Sequence, residues 1–321
     1  MKHKKIQIGI MGCAKIAESL IIPNIIRSES FELRAIASRH SVKAVSFGEK
    51  FDCLAYNDYE QLLNDDLIDC IYIPLPVGLH YEWAIKALNA GKHVLCEKSL
   101  ATTTEEVSSM IETAMNNEKI LFENFMFPFH SQFSFISSKI EKNFLGDIRL
   151  FKSTFCFPIF EKDSNIRYKK SLGGGSLLDA GAYTLMAAQM FMGESLSIVS
   201  SKLNLHNEVD FHGSAILMNE SNVIGNIYFG FDNFYQNNIE IHGTDGSIIL
   251  KRAFTAKEDF NPTVIFEDNK GIKEIKLPIC NQALRMLDNF AQLINNKSLT
   301  FNHNIMLKQA KLISKILQNE K

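Results

Sequence analysis

Two stretches of this chain carry residues suited to reducing a carbonyl. The apolar run His93 to Cys96 ends in Glu97-Lys98. A lysine at the carboxyl end of a buried parallel strand stands where open α/β sheets bind their ligands. Its ammonium can hydrogen-bond a substrate oxygen and stabilise the negative charge that develops as a carbonyl accepts hydride. The second stretch, Leu172 to Tyr183, sets Gly173, Gly174 and Gly175 before Asp179 and Tyr183. A helix beginning after Gly175 puts Asp179 and Tyr183 one turn apart on one face. A tyrosine whose pKa is lowered by a nearby cation can give its proton to an alkoxide, while Asp179 can orient the lysine or the substrate hydroxyls. Taken singly, a Tyr one turn from an Asp is more often a helix hydrogen bond, and a Glu-Lys pair is often a surface ion pair.

A hydride donor has its own signal near the N-terminus. The strand-like run Ile6 to Met11 enters Gly12-Cys13-Ala14-Lys15-Ile16-Ala17 and then a helical pattern. In a dinucleotide-binding turn the first glycine makes the bend, the second admits the pyrophosphate to the backbone, and a third small residue lets helix pack on strand. Gly12 and Ala17 meet the first and third needs. Ala14 replaces the second glycine, narrowing the approach but keeping the N–H donors of the helix start. The next strand ends Ala37-Ser38-Arg39-His40, where an acid would mark NAD. Arg39, with Ser38 beside it, can hold a 2′-phosphate through charged hydrogen bonds, so the expected cofactor is NADP(H).

These residues need a scaffold, and the hydrophobic pattern supplies one. Ile6–Met11, Leu33–Ser38, Cys70–Ile73, His93–Cys96 and Ile120–Phe122 are near-continuous apolar runs, as strands buried on both faces of a parallel sheet require. Amphipathic segments lie between them, including Glu82–Asn89 and Glu105–Asn117, the latter preceded by threonines able to cap it. This is βαβ organisation and predicts a doubly wound Rossmann sheet. Beyond Asn124, helical stretches at 132–142 and 177–192 mix with strand-like runs at 148–157, 198–205, 215–218, 223–231, 239–242 and 247–250. Short turns join several of these runs, which predicts an open, largely antiparallel sheet. The expected domains are 1–124, binding NADP, and 125–321, binding substrate and carrying the oligomer surface. Two terminal helical patterns, about 282–294 and 305–317, are free to pack on either domain.

The chain has 321 residues, enough for two domains, and 34 basic against 36 acidic residues give a net charge of −2. That balance offers no basic field for a nucleic acid backbone. The six cysteines have neither disulfide nor zinc spacing, so they read as reduced thiols and no metal is expected. No apolar stretch is long enough to span a membrane and no signal-peptide core stands at the N-terminus, so the expected location is cytoplasmic.

Taken in order, Gly9-x-x-Gly12-Cys13-Ala14, Ala37-Ser38-Arg39, Pro76 with His80, Gly91-Lys92-His93-Val94-Leu95-Cys96-Glu97-Lys98, and Gly173 through Asp179 and Tyr183 resemble the Gfo/Idh/MocA oxidoreductases over about residues 6 to 250. The resemblance implies a catalytic Lys98 with Asp179 and Tyr183, in the pattern of NADP-using members. It implies cofactor contacts from Gly12, Cys13, Ala14, Lys15, Ile16, Ser38, Arg39, Pro74, Leu75, Pro76, His80, Glu97, Lys98 and Asn124. It also implies a homo-oligomer formed through the open sheet. Glu123 to Gln132 is most similar to nucleotide-sugar 3-ketoreductases of deoxysugar pathways, with a C3 ketone as the reduced group. Candidate substrate contacts are then His130, Arg167, Tyr168, Lys169, Asp179 and Tyr183, with Lys170 a further cation for a diphosphate. A free-sugar or trans-dihydrodiol dehydrogenase carries the same triad, and a catalytically silent NADP-binding regulator needs none of it. One departure stands out: the family's Glu-Lys-Pro, associated with an unusual backbone bend, reads Glu97-Lys98-Ser99 here. Phe125, Phe127, Phe129 and Phe133 look like a stacking box but are expected mostly to be core.

Overall fold

The computed structural model describes residues 4–159 and 165–319. The chain divides into two compact units, one of residues 1–124 with 283–306 and one of residues 125–282 with 307–321.

In the first unit six strands form one parallel sheet: β1 (Ile6–Met11), β2 (Phe31–Ala37), β3 (Leu54–Tyr56), β4 (Cys70–Ile73), β5 (His93–Glu97) and β6 (Leu121–Asn124). Their order is β3-β2-β1-β4-β5-β6, the doubly wound arrangement, with β1 and β4 on either side of the point where the winding reverses. Ile8, Ile10, Ile71, Tyr72, Val94 and Leu95 are wholly buried, which explains the unbroken apolar runs. After β1 a π-turn over Ala17–Ile21 leads into α1 (Ile22–Arg27). Helices α2 (Ser41–Phe51), α3 (Tyr59–Leu63), α4 (His80–Asn89) and α5 (Thr104–Asn116) complete the crossovers. The expected capping of α5 is a full capping box: Thr103 accepts from the Glu106 N–H while Glu106 accepts from Thr103. β3 and the two helices flanking it were not expected. β3 has three residues and is half open to solvent, so it lacks the apolar run that marks its neighbours.

The same unit is completed from far along the chain. Phe290 of α8 (Gln282–Asn295) packs against Phe31 at 6.0 Å and Phe122 at 5.6 Å between ring centroids, and Phe301 stacks on Phe122 at 6.0 Å.

The second unit is built on an eight-stranded sheet comprising β7 (Ile148–Cys156), β8 (Leu196–His206), β9 (Val209–Asn219), β10 (Ile224–Gly230), β11 (Gln236–Gly243), β12 (Gly246–Lys251), β13 (Thr263–Asp268) and β14 (Gly271–Lys276). The order is β14-β13-β12-β11-β7-β10-β9-β8, antiparallel except for the β7–β10 pair. Helix α6 (Ser131–Glu141) precedes the sheet, α7 (Ala182–Met192) packs on β7 and β10, and α9 (His303–Gln318) ends the chain. α7 is buried nearly all round, so its apolar residues surround the whole helix. On β8, β9 and β10, Val199, Leu205, Ile216, Met218 and Ile224 remain exposed while Ala215 and Leu217 point into the core. This is one covered face and one open face. β13 and β14 were not expected; β14 is an exposed edge strand in which Lys273, Glu274 and Lys276 break any apolar pattern.

Candidate active site

Five of the loops that leave the parallel sheet carry the cofactor candidates of the first unit. Each follows the carboxyl end of a strand: Gly12 to Ile16 after β1, Ser38 and Arg39 after β2, Pro74 to Pro76 after β4, Lys98 at the end of β5, and Asn124 closing β6. Gly12 has φ +115°, a backbone conformation that strains any residue with a side chain, and a β-carbon there would also press on Leu75 Cδ2 at 2.9 Å. Its N–H donates to Ala37 O, which ties the turn to β2. Helical backbone then begins at Lys15, after Cys13 and Ala14. Ser38 is buried and its hydroxyl accepts from the His40 N–H, whereas Arg39 is exposed. The Arg39 guanidinium is hydrogen-bonded to the buried Tyr59 phenol, whose pKa burial raises and Arg39 pulls back.

The Glu97-Lys98 segment sits over a group of enclosed polar side chains. Glu97 Oε1 accepts from the Tyr72 hydroxyl and from Asn124 Nδ2, both at 2.6 Å. Burial raises the Glu97 pKa against these bonds and against nearby Lys98. Next on β6, Glu123 is 7% exposed and accepts the Leu100 N–H at 2.9 Å, and burial pushes its carboxyl up to about 8. The Lys98-Ser99 peptide is cis, so serine keeps a bend here in proline's absence. His80 is fully buried: Nδ1 lies 2.9 Å from Ser99 O and Nε2 lies 2.7 Å from Leu75 O. It therefore lies between the backbone carbonyls of two loops and, as a neutral ring, donates to one of them. The earlier half of this motif is scaffold: buried Lys92 donates to Asp65 O and Ile68 O, and His93 Nδ1 accepts the Ile120 N–H.

In the second unit the glycine run folds back on the segment before it. Gly174 and Gly175 N–H donate to Lys169 O and Arg167 O. A β-carbon on Gly174 would run into Arg167 O, and one on Gly175, at φ +120°, into Asp210 Oδ1. Helical backbone starts at Ser176 and passes through a π-turn, Leu177–Gly181, into α7. Asp179 and Tyr183 are the partly exposed positions among the buried Leu178, Ala180, Gly181, Ala182 and Thr184. Asp179 Oδ2 accepts from Arg167 Nε at 2.6 Å, which joins two of the substrate candidates directly. The Tyr183 ring is ringed by Phe125, Phe127, Phe155 and Phe254 at 5.1 to 5.8 Å, so Phe125 and Phe127 form its wall. Tyr168 stacks on Phe211 at 5.3 Å. Lys169 and Lys170 are exposed. His130 is 1% exposed, and its Nδ1 accepts the Gln132 N–H as the cap of α6.

Residues 6–125 match the model of an oxidoreductase family with an NAD-binding Rossmann fold, and residues 133–249 match the GFO/IDH/MocA C-terminal domain. The chain belongs to the Gfo/Idh/MocA family. Among its relatives is the dTDP-3,4-didehydro-2,6-dideoxy-alpha-D-glucose 3-reductase of Saccharopolyspora spinosa, 34% identical over 292 residues, covering 90% of this chain and 88% of that one. The D-xylose 1-dehydrogenase (NADP(+)) 2 of Haloferax volcanii is 32% identical over 248 residues, covering 77% and 76%. The crystal structure of a 3-ketoreductase from Actinomadura kijaniata, in complex with NADP and TDP-benzene, superposes with a TM-score of 0.95 at 33% identity, covering 98% of both chains.

Three further side chains of this Gfo/Idh/MocA chain bear on the candidate site, and none had a role assigned to it from the sequence, Glu123 standing there only as the first residue of the 123–132 run. Asp210, 6% exposed, accepts the Ser176 hydroxyl at 2.7 Å and the Leu177 N–H at 2.6 Å, pinning the start of the helix that carries Asp179 and Tyr183. Tyr72 and Glu123 lie under the Lys98 segment. All three sit inside strands or at their ends, where a polar residue in an apolar run is the one sequence signal available. No cluster of His, Cys, Asp or Glu that could hold a metal ion occurs among the described residues.

Proposed function

We propose that this enzyme uses NADPH to reduce the C3 ketone of a nucleotide-linked deoxy keto sugar. The observation that carries this reading is its similarity to the 3-ketoreductase bound to NADP and TDP-benzene over 98% of both chains. The cofactor fits what the first unit offers: a turn at Gly12 that a side chain would strain, a helix start behind it, and an exposed Arg39 after β2 where a 2′-phosphate needs a cation. Gly12, Cys13, Ala14, Lys15 and Ile16 would hold the pyrophosphate, Ser38 and Arg39 the 2′-phosphate, and Pro74 to Pro76, Glu97 and Asn124 the nicotinamide half. Bound there, NADPH supplies the hydride. Lys98 stabilises the negative charge on the substrate oxygen and Tyr183 Oη delivers the proton. Asp179 fixes the Arg167 guanidinium, and in this reading Arg167, with Lys169 and Lys170 nearby, meets the diphosphate while Tyr168 receives the base. His130 contributes by setting the start of α6. The remote nucleotide provides binding energy that orients the ketone. No helix among the described residues is long and apolar enough to cross a membrane. The same reading has the enzyme act in the cytoplasm and pair with a second copy through the open face of its sheet.

The test is a screen of NADPH oxidation against nucleotide-linked 3-keto sugars, free sugars and trans-dihydrodiols run in both directions. The expected result is the highest kcat/KM for a nucleotide-linked ketone. A free sugar such as xylose far ahead of every nucleotide-linked ketone overturns the substrate, and NADPH binding without turnover of any of them overturns the enzyme in favour of a regulator.

A further inference from the structure

The peptide group that follows Ser99 is held at both ends by buried side chains from two other elements. Its carbonyl, Ser99 O, lies 2.9 Å from His80 Nδ1, and its amide, Leu100 N–H, donates to Glu123 Oε1 at 2.9 Å. His80 opens α4 and is 0% exposed, Glu123 lies on β6 and is 7% exposed, and Ser99 itself is 2% exposed. His80 Nε2 lies 2.7 Å from Leu75 O, so the ring donates to Ser99 O and Leu75 O together only as the imidazolium, which these two carbonyls favour and burial opposes. Lys98 stands one residue before this held peptide and is the partly exposed member of Lys98-Ser99-Leu100. A long flexible side chain has a defined reach only if its backbone cannot rotate, and this one is gripped by partners that bulk water does not compete for.

We propose that His80 and Glu123 are positioning residues for Lys98, acting as a two-sided clamp on the Ser99-Leu100 peptide. This rests on the reading of Lys98 as the group that stabilises the substrate oxygen. What the clamp requires of Glu123 is an acceptor. The groups that face its carboxyl are Leu100 N–H and Lys98, which favour the ionised form, and Glu97, which opposes it; burial outweighs them and favours the neutral acid. A neutral amide oxygen can accept the same N–H.

The experiment measures steady-state NADPH oxidation with the best nucleotide-linked ketone of the screen, for Glu123→Leu, Glu123→Gln and His80→Gln, each in the parent and in Lys98→Met enzyme. In the parent, Glu123→Leu should lower kcat by roughly 10- to 100-fold with KM for NADPH within about 3-fold, since a misplacement near 1 Å costs up to about 100-fold. Glu123→Gln should recover most of that loss. In the Lys98→Met background Glu123→Leu and His80→Gln should cost nothing further, because the group they position is gone. An equal loss in both backgrounds, no loss in the parent, or a Gln variant as impaired as Leu overturns the clamp. If Glu123→Leu does not fold, judged by circular dichroism, the His80→Gln comparison between the two backgrounds decides alone. Unchanged kcat in Lys98→Met itself overturns the role of Lys98 instead, and so separates the two failures.

Discussion

Replacing Asp210 tests how firmly the helix bearing Asp179 and Tyr183 is anchored. In Asp210→Ala buried donors lose their acceptor, among them the Leu177 N–H at 2.6 Å and the Ser176 hydroxyl at 2.7 Å. Leu177 and Ser176 are both 0% exposed, so no bulk water replaces the carboxylate. An orphaned buried donor costs about 1–3 kcal/mol, and the serine hydroxyl can rotate to recover part of its share. Against this, removing a carboxylate that burial disfavours returns some free energy; the Asp210 pKa is raised because desolvation outweighs its hydrogen bonds. The net expectation is a loss of about 2–4 kcal/mol, or roughly 5–12 °C in the melting of a unit of this size. Asp210→Asn keeps an acceptor and removes the disfavoured charge, so it should lie within about 1 kcal/mol of the parent. Hydrogen exchange resolved to residues 174–181, together with thermal melts followed by circular dichroism, makes the comparison. Protection lost across this segment in the Ala variant and kept in the Asn variant is the expected result. An Ala variant with unchanged melting and unchanged protection would refute the anchoring argument.

Three shorter expectations follow. Arg39→Ala should weaken NADPH binding about 10-fold, the low end of the 1.5–3 kcal/mol for a charged hydrogen bond because Arg39 is exposed; NADH titrated alongside should change little, and equal loss for both removes Arg39 from phosphate recognition. Glu123 is raised from 4.5 to about 8, so its contribution to stability is full below pH 4.5 and is lost as pH rises toward 8. The melting temperature of Glu123→Gln relative to the parent should therefore climb between pH 5 and 8.5, and a flat difference contradicts the buried acid. Gly175→Ala, placed at φ +120° with its new methyl against Asp210 Oδ1, should destabilise by more than the roughly 1 kcal/mol that the same change can gain at a permissive site, read by the same melts.

Where side chains pack on both faces of a parallel sheet, the sequence announces the element, and β1, β2, β4, β5 and β6 were all legible for that reason. β3 and β14 were not, since a short or edge strand carries no continuous apolar signature. Gly12, the Glu97-Lys98 pair and Asp179 with Tyr183 stand out as candidates in the sequence because the chemistry proposed for them resides in residue type and spacing. Asp210 could not, because its role depends on β9 passing beside a helix start more than thirty residues earlier in the chain. The motif around Lys98 illustrates the boundary well: Lys92 and His93 hold backbone carbonyl and amide groups while Glu97 is held by Tyr72 and Asn124 beside Lys98, yet nothing in the linear pattern separates these roles.

The return of residues 283–306 to the first unit bears on how the protein can be made. A ribosome delivers β1 to β6 long before it delivers Phe290 and Phe301, so Phe31 and Phe122 wait with part of their surroundings missing while the whole second sheet is synthesised. A fragment ending at Asn124 would meet the same shortage permanently and should be sticky, whereas one that joins residues 4–124 to 283–306 through a flexible linker has the aromatic contacts it needs. Domain shuffling by simple cutting and pasting is thus closed to this nucleotide-binding half: any exchange must carry the distant segment with it.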